Sequence, residues 1–172
     1  MIEFRVIKEV IIMAEQYPIG KNREENYNYM VATAKAFIQG EKNLVANLSN
    51  LSSIINLYVD TINWAGFYLM EEGELVLGPF QGKPACIRIP LGKGVCGTAA
   101  AEGRTIIVED VHAFPGHIAC DAASNSEIVI PITKNGTLIG VLDIDSPIKS
   151  RFKDEEKIAL EAVVAVLEES IT

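Results

Sequence analysis

The sequence predicts an α+β domain in which a mainly antiparallel sheet of about six strands has helices packed on one face. Three observations lead to this prediction: helical spacing of apolar residues at both ends of the chain, short alternating runs between them, and turn signals that join those runs as hairpins. The chain has 172 residues, of which 49% are hydrophobic and 22% charged, so it can form one domain with its own core.

Three longer helices are predicted from the spacing of their apolar residues. The first begins at Arg23 and stops at Gly40, and the second spans the apolar positions of residues 44–58. The last begins at Asp154, and its predicted buried stripe consists of Ala159, Ala162, Val163, Val166 and Leu167. Residues 1–22 stand apart as an N-terminal extension without an assigned role, so residues 23–172 make up the domain.

Short alternating apolar runs in the middle of the chain predict the strands. The runs "INWAGFYLM" and "ELVLGPF" are joined by the turn-prone "EEGE", which indicates a hairpin. "CIRIP" and "TIIVED" are further strands, and "LGKGVCGTAAAEG" between them is a short helix closed by Gly103. The runs "EIVIPIT" and "TLIGVLDID" form a second hairpin, because the Asn135–Gly136 pair between them is a strong turn signal.

Charge and composition exclude several classes of protein. The net charge of −8, without a cluster of basic residues, argues against nucleic acid as a partner because an anionic surface repels phosphates. No apolar run approaches the roughly 20 residues of a membrane helix, and the start of the chain lacks the features of a signal peptide. Three cysteines without close pairing do not suggest the disulfide framework of a secreted protein. We therefore expect a cytoplasmic protein.

Acidic residues are predicted to meet on one face of the second hairpin. Side chains alternate along a strand, so Asp143 and Asp145 of "GVLDID" project from one face while Leu142 and Ile144 enter the core on the other. Glu127 begins the partner strand and can reach the same face. A solvent-facing strand end is the simpler interpretation of the two aspartates. Alternatively, the acids bind an ammonium group or share a proton at neutral pH.

Two aromatic residues are candidate walls of a pocket. Trp64 and Tyr68 lie four apart in "INWAGFYLM", on the same strand face as Gly66. Both fit an ordinary core position equally well. As pocket walls, they would offer an apolar surface with a polar edge.

Each cysteine has a different local setting. Cys120 lies in the polar loop "GHIACDAASNSE", where His117 can stabilise its thiolate and Asp121 opposes that effect. Cys96 lies near the start of the short helix, whose dipole would lower the thiol pKa, although burial there is at least as plausible. Cys86 precedes a strand and has no obvious activator. The residues alone therefore leave the choice of nucleophile open.

A metal site is the less favoured use of these cysteines. Three cysteines with His112 or His117 could ligate a metal ion, but their separations match no common zinc spacing. We therefore expect a redox role and no bound metal or organic cofactor.

Longer stretches of the chain resemble one known family. The segments "NWAGFYL", "LVLGPFQGKPACIRIPLGKGVCGTA", "EDVHAFPGHIACDAASNSEIVIPI" and "IGVLDIDSP" are similar to those of the free methionine-(R)-sulfoxide reductases, which are single GAF domains. The resemblance runs from about Arg23 to the C-terminus. It implies that Cys120 is the nucleophile, that Cys86 is the main resolving cysteine and that Cys96 is an auxiliary or alternative one. It also implies that the substrate is bound by Glu127, Asp143, Asp145, Trp64 and Tyr68.

The resemblance further implies a reaction and its partners. Cys120 would reduce free methionine (R)-sulfoxide and become a sulfenic acid, which then forms an intramolecular disulfide that thioredoxin reduces. A homodimer is also expected from the family. The alternative is a GAF module that senses a small ligand or redox state without catalysis, and a metal-binding sensor ranks third.

Overall fold

The computed structural model describes residues 17–116 and 121–171, which contain every element predicted from the first helix onward. In these residues, four α-helices and six strands follow in the order α1 (Arg23–Ile38), α2 (Leu44–Tyr58), β1 (Trp64–Glu71), β2 (Glu74–Gly82), β3 (Arg88–Pro90), α3 (Gly94–Glu102), β4 (Ile106–Val108), β5 (Ser126–Lys134), β6 (Thr137–Ser146) and α4 (Asp154–Ser170). A 3₁₀ turn at Val111–Ala113 follows β4. None of the described helices is long and apolar enough to span a membrane.

The strands form one antiparallel sheet in the order β3-β2-β1-β6-β5-β4. The predicted hairpins are β1–β2 and β5–β6. Asn135 and Gly136 turn the second hairpin with φ angles of 51° and 78°, the backbone that a two-residue turn of this kind requires and that this pair readily adopts. The strands β1 and β6, which are distant in sequence, pair at the centre of the sheet.

The two faces of the sheet have separate cores. The helices α1, α2 and α4 cover one face, where they bury inward residues of the central strands such as Phe67, Ile130, Leu142 and Ile144. This arrangement confirms the predicted fold class. The short helix α3 packs on the other face with a smaller cluster that includes Tyr68, Val129 and Val141. This second face is the one that carries the acidic residues.

The buried stripe of α4 differs in part from the predicted one. Ala159, Val163 and Leu167 are buried, but Ala162 and Val166 are only partly covered. Their place is taken by Leu160 and Val164. The stripe is shifted because α4 packs against both α1 and β5. These two contacts together bury a different side of the helix from the one that the sequence pattern predicted.

Only part of the predicted N-terminal extension can be described. Residues 1–16 lie outside the described residues. The ring of Tyr17 stacks on Phe37 of α1, with ring centroids 6.2 Å apart. The backbone N–H of Gly20 donates a 2.7 Å hydrogen bond to Asn26 Oδ1, and Asn22 caps α1 by accepting from the N–H of Glu25. Residues 17–22 therefore pack along the first helix.

A buried ion pair fastens the helical layer to the sheet. The guanidinium of Arg151 donates to Glu156 Oε1 at 2.7 Å and to Asp60 Oδ1 at 2.6 Å. The Tyr27 hydroxyl donates to the same Glu156 oxygen at 2.7 Å. The side chains of Arg151 and Glu156 are 1% and 2% exposed, so these two buried charges stabilise each other, with support from Asp60 and, at 3.8 Å from Glu156, from Arg23. The pair joins α1, α4 and the loop before β1.

We expect that removal of one charge of this pair destabilises the protein more than removal of both. Arg151→Met leaves a buried carboxylate and Glu156→Gln a buried guanidinium, and each change should cost about 3 kcal/mol. The double variant should cost less than the sum, because neither uncompensated charge remains. Free energies of unfolding in urea test this.

The exposed pair of Lys149 and Asp110, joined at 2.6 Å, provides the matched control. Lys149→Met should cost about 1 kcal/mol or less. Additive losses in the Arg151 and Glu156 variants would contradict a mutual dependence of the two charges.

Candidate active site

Three carboxylates come together on the second face of the sheet. Asp143 and Asp145 point to this face because they alternate along β6 with Leu142 and Ile144, which lie in the opposite core. In the β5–β6 ladder Glu127 is the direct partner of Asp145. Glu127 and Asp143 are each only 6% exposed. The acids therefore meet because two central strands pair in one particular register.

The acids line a pocket between the sheet and the first turn of α3. Its empty volume is about 400 Å³, part of which is open to solvent. Besides the three acids, the lining consists of Tyr68, Ile89, Lys93, Gly94, Val95, Cys96, Asp121 and Ser124. The pocket thus combines carboxylates, one thiol and a small apolar wall.

Burial raises the pKa of all three acids. Burial first, and then the charges of Asp143 and Asp145, hold the pKa of Glu127 well above its ordinary value. Burial raises the pKa of Asp143 to about 6. Burial and the neighbouring Asp143 likewise raise the pKa of Asp145 well above its usual range. Because three such groups cannot all ionise at low cost, the cluster retains a proton at neutral pH.

One oxygen of the cluster has no hydrogen-bond partner. Asp143 Oδ1 is buried, and no donor reaches it among the residues that the structure describes. Buried acceptors are normally bonded, so an unbonded one at a pocket wall indicates a place for a ligand.

Cys96 has a different environment from the one that its position near a helix start suggests. It is 4% exposed, and its Sγ lies 3.8 Å from Glu127 Oε1, to which the thiol donates. Burial, and then the negative charges of Asp143 and Glu127, raise the thiol pKa well above its ordinary value. The expected lowering of this pKa by the helix dipole is therefore wrong, and the burial that the sequence also allowed is observed.

The two aromatic residues have different positions. Tyr68 lines the pocket and is 1% exposed. Trp64 stacks beside it, with centroids 5.9 Å apart, and also on Phe80 at 5.2 Å. Its Nε1–H donates to the carbonyl oxygen of Lys83 at 3.1 Å. Trp64 thus supports the pocket wall without being among the lining residues, and Gly66 permits this stack because a Cβ there would lie 2.7 Å from the Trp64 ring.

Asp121, which directly follows Cys120, also lines the pocket. It accepts a hydrogen bond from the backbone N–H of Ala123 at 3.0 Å, and Asn63 Nδ2 lies 3.3 Å from its other oxygen. The bond from Ala123, together with the nearby Lys83, lowers the pKa of Asp121. This residue is therefore an anion at the pocket, in contrast to the proton-sharing cluster.

Lys93 and the first turn of α3 also line the pocket, although neither was among the residues predicted for the site. Among the described residues, no side chain caps the start of α3, so its first N–H groups adjoin the pocket without an acceptor from such a cap. A signal was available in the sequence: Lys93 stands between Gly92 and Gly94, whose φ angles are 75° and 59°. Glycines that lead into a helix start are compatible with anion binding by its N–H groups, and Lys93 adds a positive charge there.

The remaining cysteines can be described only in part. Cys86 is half-buried just before β3 and is held in a disulfide, whereas Cys96 is a free thiol. Cys120 and His117 lie outside the described residues. A cysteine in a disulfide cannot ligate a metal as a thiolate, which argues against a site built from three cysteines and a histidine.

Comparison with known proteins places the chain in a family. The model of the GAF domain matches residues 44–171. The chain is 53% identical to the free methionine-R-sulfoxide reductase of Escherichia coli over 147 residues, which cover 86% of this chain and 89% of that protein. It is 47% identical over 163 residues to the protein of the same name from Saccharomyces cerevisiae, covering 90% of each.

Solved structures give the same result. The structure of fRMsr of Staphylococcus aureus in complex with its substrate matches with a TM-score of 0.83 and 53% identity, over 90% of this chain and 99% of that one. The family resemblance of the sequence is thereby confirmed. The chain belongs to the GAF domain family, within the group of relatives that includes these reductases.

Proposed function

We propose that this chain reduces free methionine (R)-sulfoxide to methionine. The observation that carries the proposal is the buried cluster of three carboxylates, which retains a proton in a pocket that Asp121 also lines. The two similar reductases, and the similar protein whose structure was solved in complex with its substrate, support the same activity. Glu127, Asp143 and Asp145 bind the substrate in this proposal, while Tyr68 and, behind it, Trp64 form the wall along its side chain.

The acids suit an amino acid with a free ammonium group. The cluster carries net negative charge even with one proton bound, and Asp143 Oδ1 accepts no hydrogen bond from the described residues. An ammonium group supplies both a positive charge and N–H donors to such a site. A methionine sulfoxide within a peptide offers only a neutral amide and would leave buried carboxylates unpaired.

The opposite side of the pocket suits the substrate carboxylate. The free N–H groups in the first turn of α3 carry the positive end of the helix dipole, and Lys93 adds a full charge. The pocket thus offers acids for the ammonium group of an amino acid and a positive region for its carboxylate. The sulfoxide side chain then extends along the aromatic wall.

The proton of the cluster serves the reaction itself. A sulfoxide sulfur accepts a nucleophile only when its oxygen is protonated, and a carboxylic acid that stays neutral at pH 7 can donate that proton. The Cys120 thiolate attacks the sulfur, the protonated oxygen passes from that sulfur to the cysteine sulfur as the bond between the two sulfurs breaks, and methionine departs, which leaves Cys120 as a sulfenic acid. The substrate is reduced by two electrons and Cys120 is oxidised by two.

A second thiol resolves the sulfenic acid. We propose Cys86 for this step, in which its thiol displaces water from Cys120 and a disulfide forms. In support, Cys86 forms a disulfide, while Cys96 is a buried free thiol of raised pKa and hence a slow nucleophile. Cys96 serves as an auxiliary thiol. Asp121, the residue that follows Cys120 in the sequence, lines the pocket.

Recycling needs an external dithiol, for which we propose thioredoxin. Exchange with its two thiols reduces the disulfide and restores the starting state. This chemistry suits a reducing compartment such as the cytoplasm. A homodimer belongs to the same proposal. The competing assignment, a sensor without catalysis, predicts binding of the sulfoxide without release of methionine.

Substitution of the cysteines separates their roles. Cys120→Ser should abolish release of methionine, because a hydroxyl is a far poorer nucleophile than a thiolate. Cys86→Ser should still release one methionine per enzyme but should recycle slowly. Release without reductant, and turnover with a thioredoxin system, are the two measurements. Substantial turnover by Cys120→Ser would assign the nucleophile elsewhere, first to Cys96.

Blocking the ammonium group should nearly abolish activity. N-acetyl methionine sulfoxide should have a kcat/KM lower by roughly 10⁴ than the free amino acid, because a site built to bond a polar group strongly rejects an analogue that lacks it. The methyl ester keeps the ammonium group and alters only the carboxylate, so it measures separately the contact with Lys93 and the first turn of α3. Comparable kcat/KM values for free and N-acetylated substrate would exclude this function for the acids.

Asp143→Asn should make the protein more stable and less active. The folded-state pKa of about 6 exceeds the ordinary 3.8, so this group costs stability at neutral pH, and the cost disappears as the pH falls below the ordinary value. At pH 7.5 the variant should gain on the order of 2 kcal/mol, or roughly 4–8 °C in Tm, and at pH 3.5 it should match the original protein.

The activity of the same variant provides the second measurement. Because the acids both bind substrate and hold the proton, kcat and KM should both worsen. A protein that is more stable yet less active cannot owe its lost activity to misfolding. A variant that is less stable at pH 7.5 would contradict the assigned charge state of the cluster.

A further inference from the structure

Three potential metal ligands converge in the pocket. Cys96 Sγ, an oxygen of Glu127 and an oxygen of Asp143 all lie within 4.8 Å of one another, and all three residues are buried. Cys96 Sγ lies 3.8 Å from Glu127 Oε1. They come from three different elements, α3, β5 and β6, so the fold and not a local turn brings them together.

The separations suit a tetrahedral ion after a contraction of at most about 1.5 Å. With a metal–sulfur bond of about 2.3 Å and metal–oxygen bonds of about 2.0–2.2 Å, neighbouring ligand atoms lie about 3.3–3.7 Å apart. The sulfur and the Glu127 oxygen nearly meet this value already. The pocket opening leaves a fourth position for water. Three protein ligands with one open position are a common arrangement for zinc.

The ligand set selects the class of ion. A thiolate favours zinc and similar soft or borderline cations, whereas Mg²⁺ and Ca²⁺ prefer six or more oxygen ligands. The unpartnered oxygen of Asp143 is an independent indication, because a buried acceptor without a donor is available to a cation. A doubly charged ion also offsets more of the negative charge of the pocket than an ammonium group does.

We propose that Cys96, Glu127 and Asp143 bind a thiophilic divalent cation of the Zn²⁺ class, which occupies the pocket in competition with the amino acid. The ion takes the place of the thiol proton, which passes to solvent. It is an inhibitor and not a cofactor of the reaction. The competition rests on the proposed function, because it assumes that the substrate ammonium group occupies the same acids.

Cobalt is the probe for the site, since a Co²⁺–thiolate bond gives a near-ultraviolet charge-transfer band. Cys86→Ser/Cys120→Ser is the starting protein, in which Cys96 is the remaining thiol. Titration with Co²⁺ should produce the band, and Zn²⁺ should remove it.

Adding Cys96→Ser should eliminate the band. Adding Glu127→Gln should weaken the affinity for Co²⁺ by roughly tenfold or more. The exposed Glu109 supplies a matched control, and Glu109→Gln should leave the titration unchanged.

Each outcome decides the proposal. A band that is absent from the starting protein, that survives Cys96→Ser or that ignores Glu127→Gln would overturn the site. Thermal unfolding of each variant establishes that it is folded, and Cys96→Ala provides a second substitution if the serine variant is not. The starting protein lacks the nucleophile, so free methionine sulfoxide can be added without reaction and should diminish the band.

Failure of the competition can be distinguished from failure of the proposed function. If turnover of the unmodified protein fails while the cobalt band behaves as expected, the metal site stands and the reductase assignment falls. If turnover succeeds but saturating methionine sulfoxide leaves the band unchanged, the competition is overturned.

Discussion

The register between β5 and β6 is the constraint on which the site depends. It sets Glu127 directly opposite Asp145, with Asp143 two positions along on the same face. A shift of one residue would send these acids into the helical core and bring Leu142 and Ile144 to the pocket. The same register removes the acids from water, which is why they share a proton instead of remaining three separate anions. Ligand binding and proton storage are thus two results of one pairing of strands.

A pocket of buried acids lowers the folding stability of the domain, and packing on the opposite face of the sheet compensates for this loss of stability. There the three long helices bury a large apolar layer, and Arg151 links α4 to the loop before β1 through Glu156 and Asp60. The backbone N–H of Arg151 also lies 3.4 Å from Ser126 Oγ, one residue before Glu127. The helical layer therefore both stabilises the sheet and fixes the end of the strand that supplies an acid. Division of the sheet into a stabilising face and a chemical face lets each be built from different residues.

Local sequence signals predicted the fold well, because hairpins and amphipathic helices are specified by residues close in sequence. The Asn135–Gly136 turn and the boundaries of α1 and α2 are of this kind. The side on which Asp143 and Asp145 project also follows from simple alternation. Properties that depend on distant neighbours could not be predicted in this way. The pKa of Cys96 is raised by burial and by carboxylates from two other strands, against the tendency of its own helix. In the same way, the position of Trp64 depends on Phe80 in the adjacent strand.

The acids lie on the two strands β5 and β6 within the sheet, whereas Cys86 lies in the segment that connects β2 and β3. This separation bears on how such a domain evolves. Connecting segments tolerate insertion, deletion and substitution far better than the central strands of a sheet. A lineage can therefore gain or lose Cys86 while the acidic pocket remains intact. On this scaffold, the proposed conversion between a catalyst and a binding module would begin in a connecting segment and would leave the central strands unchanged.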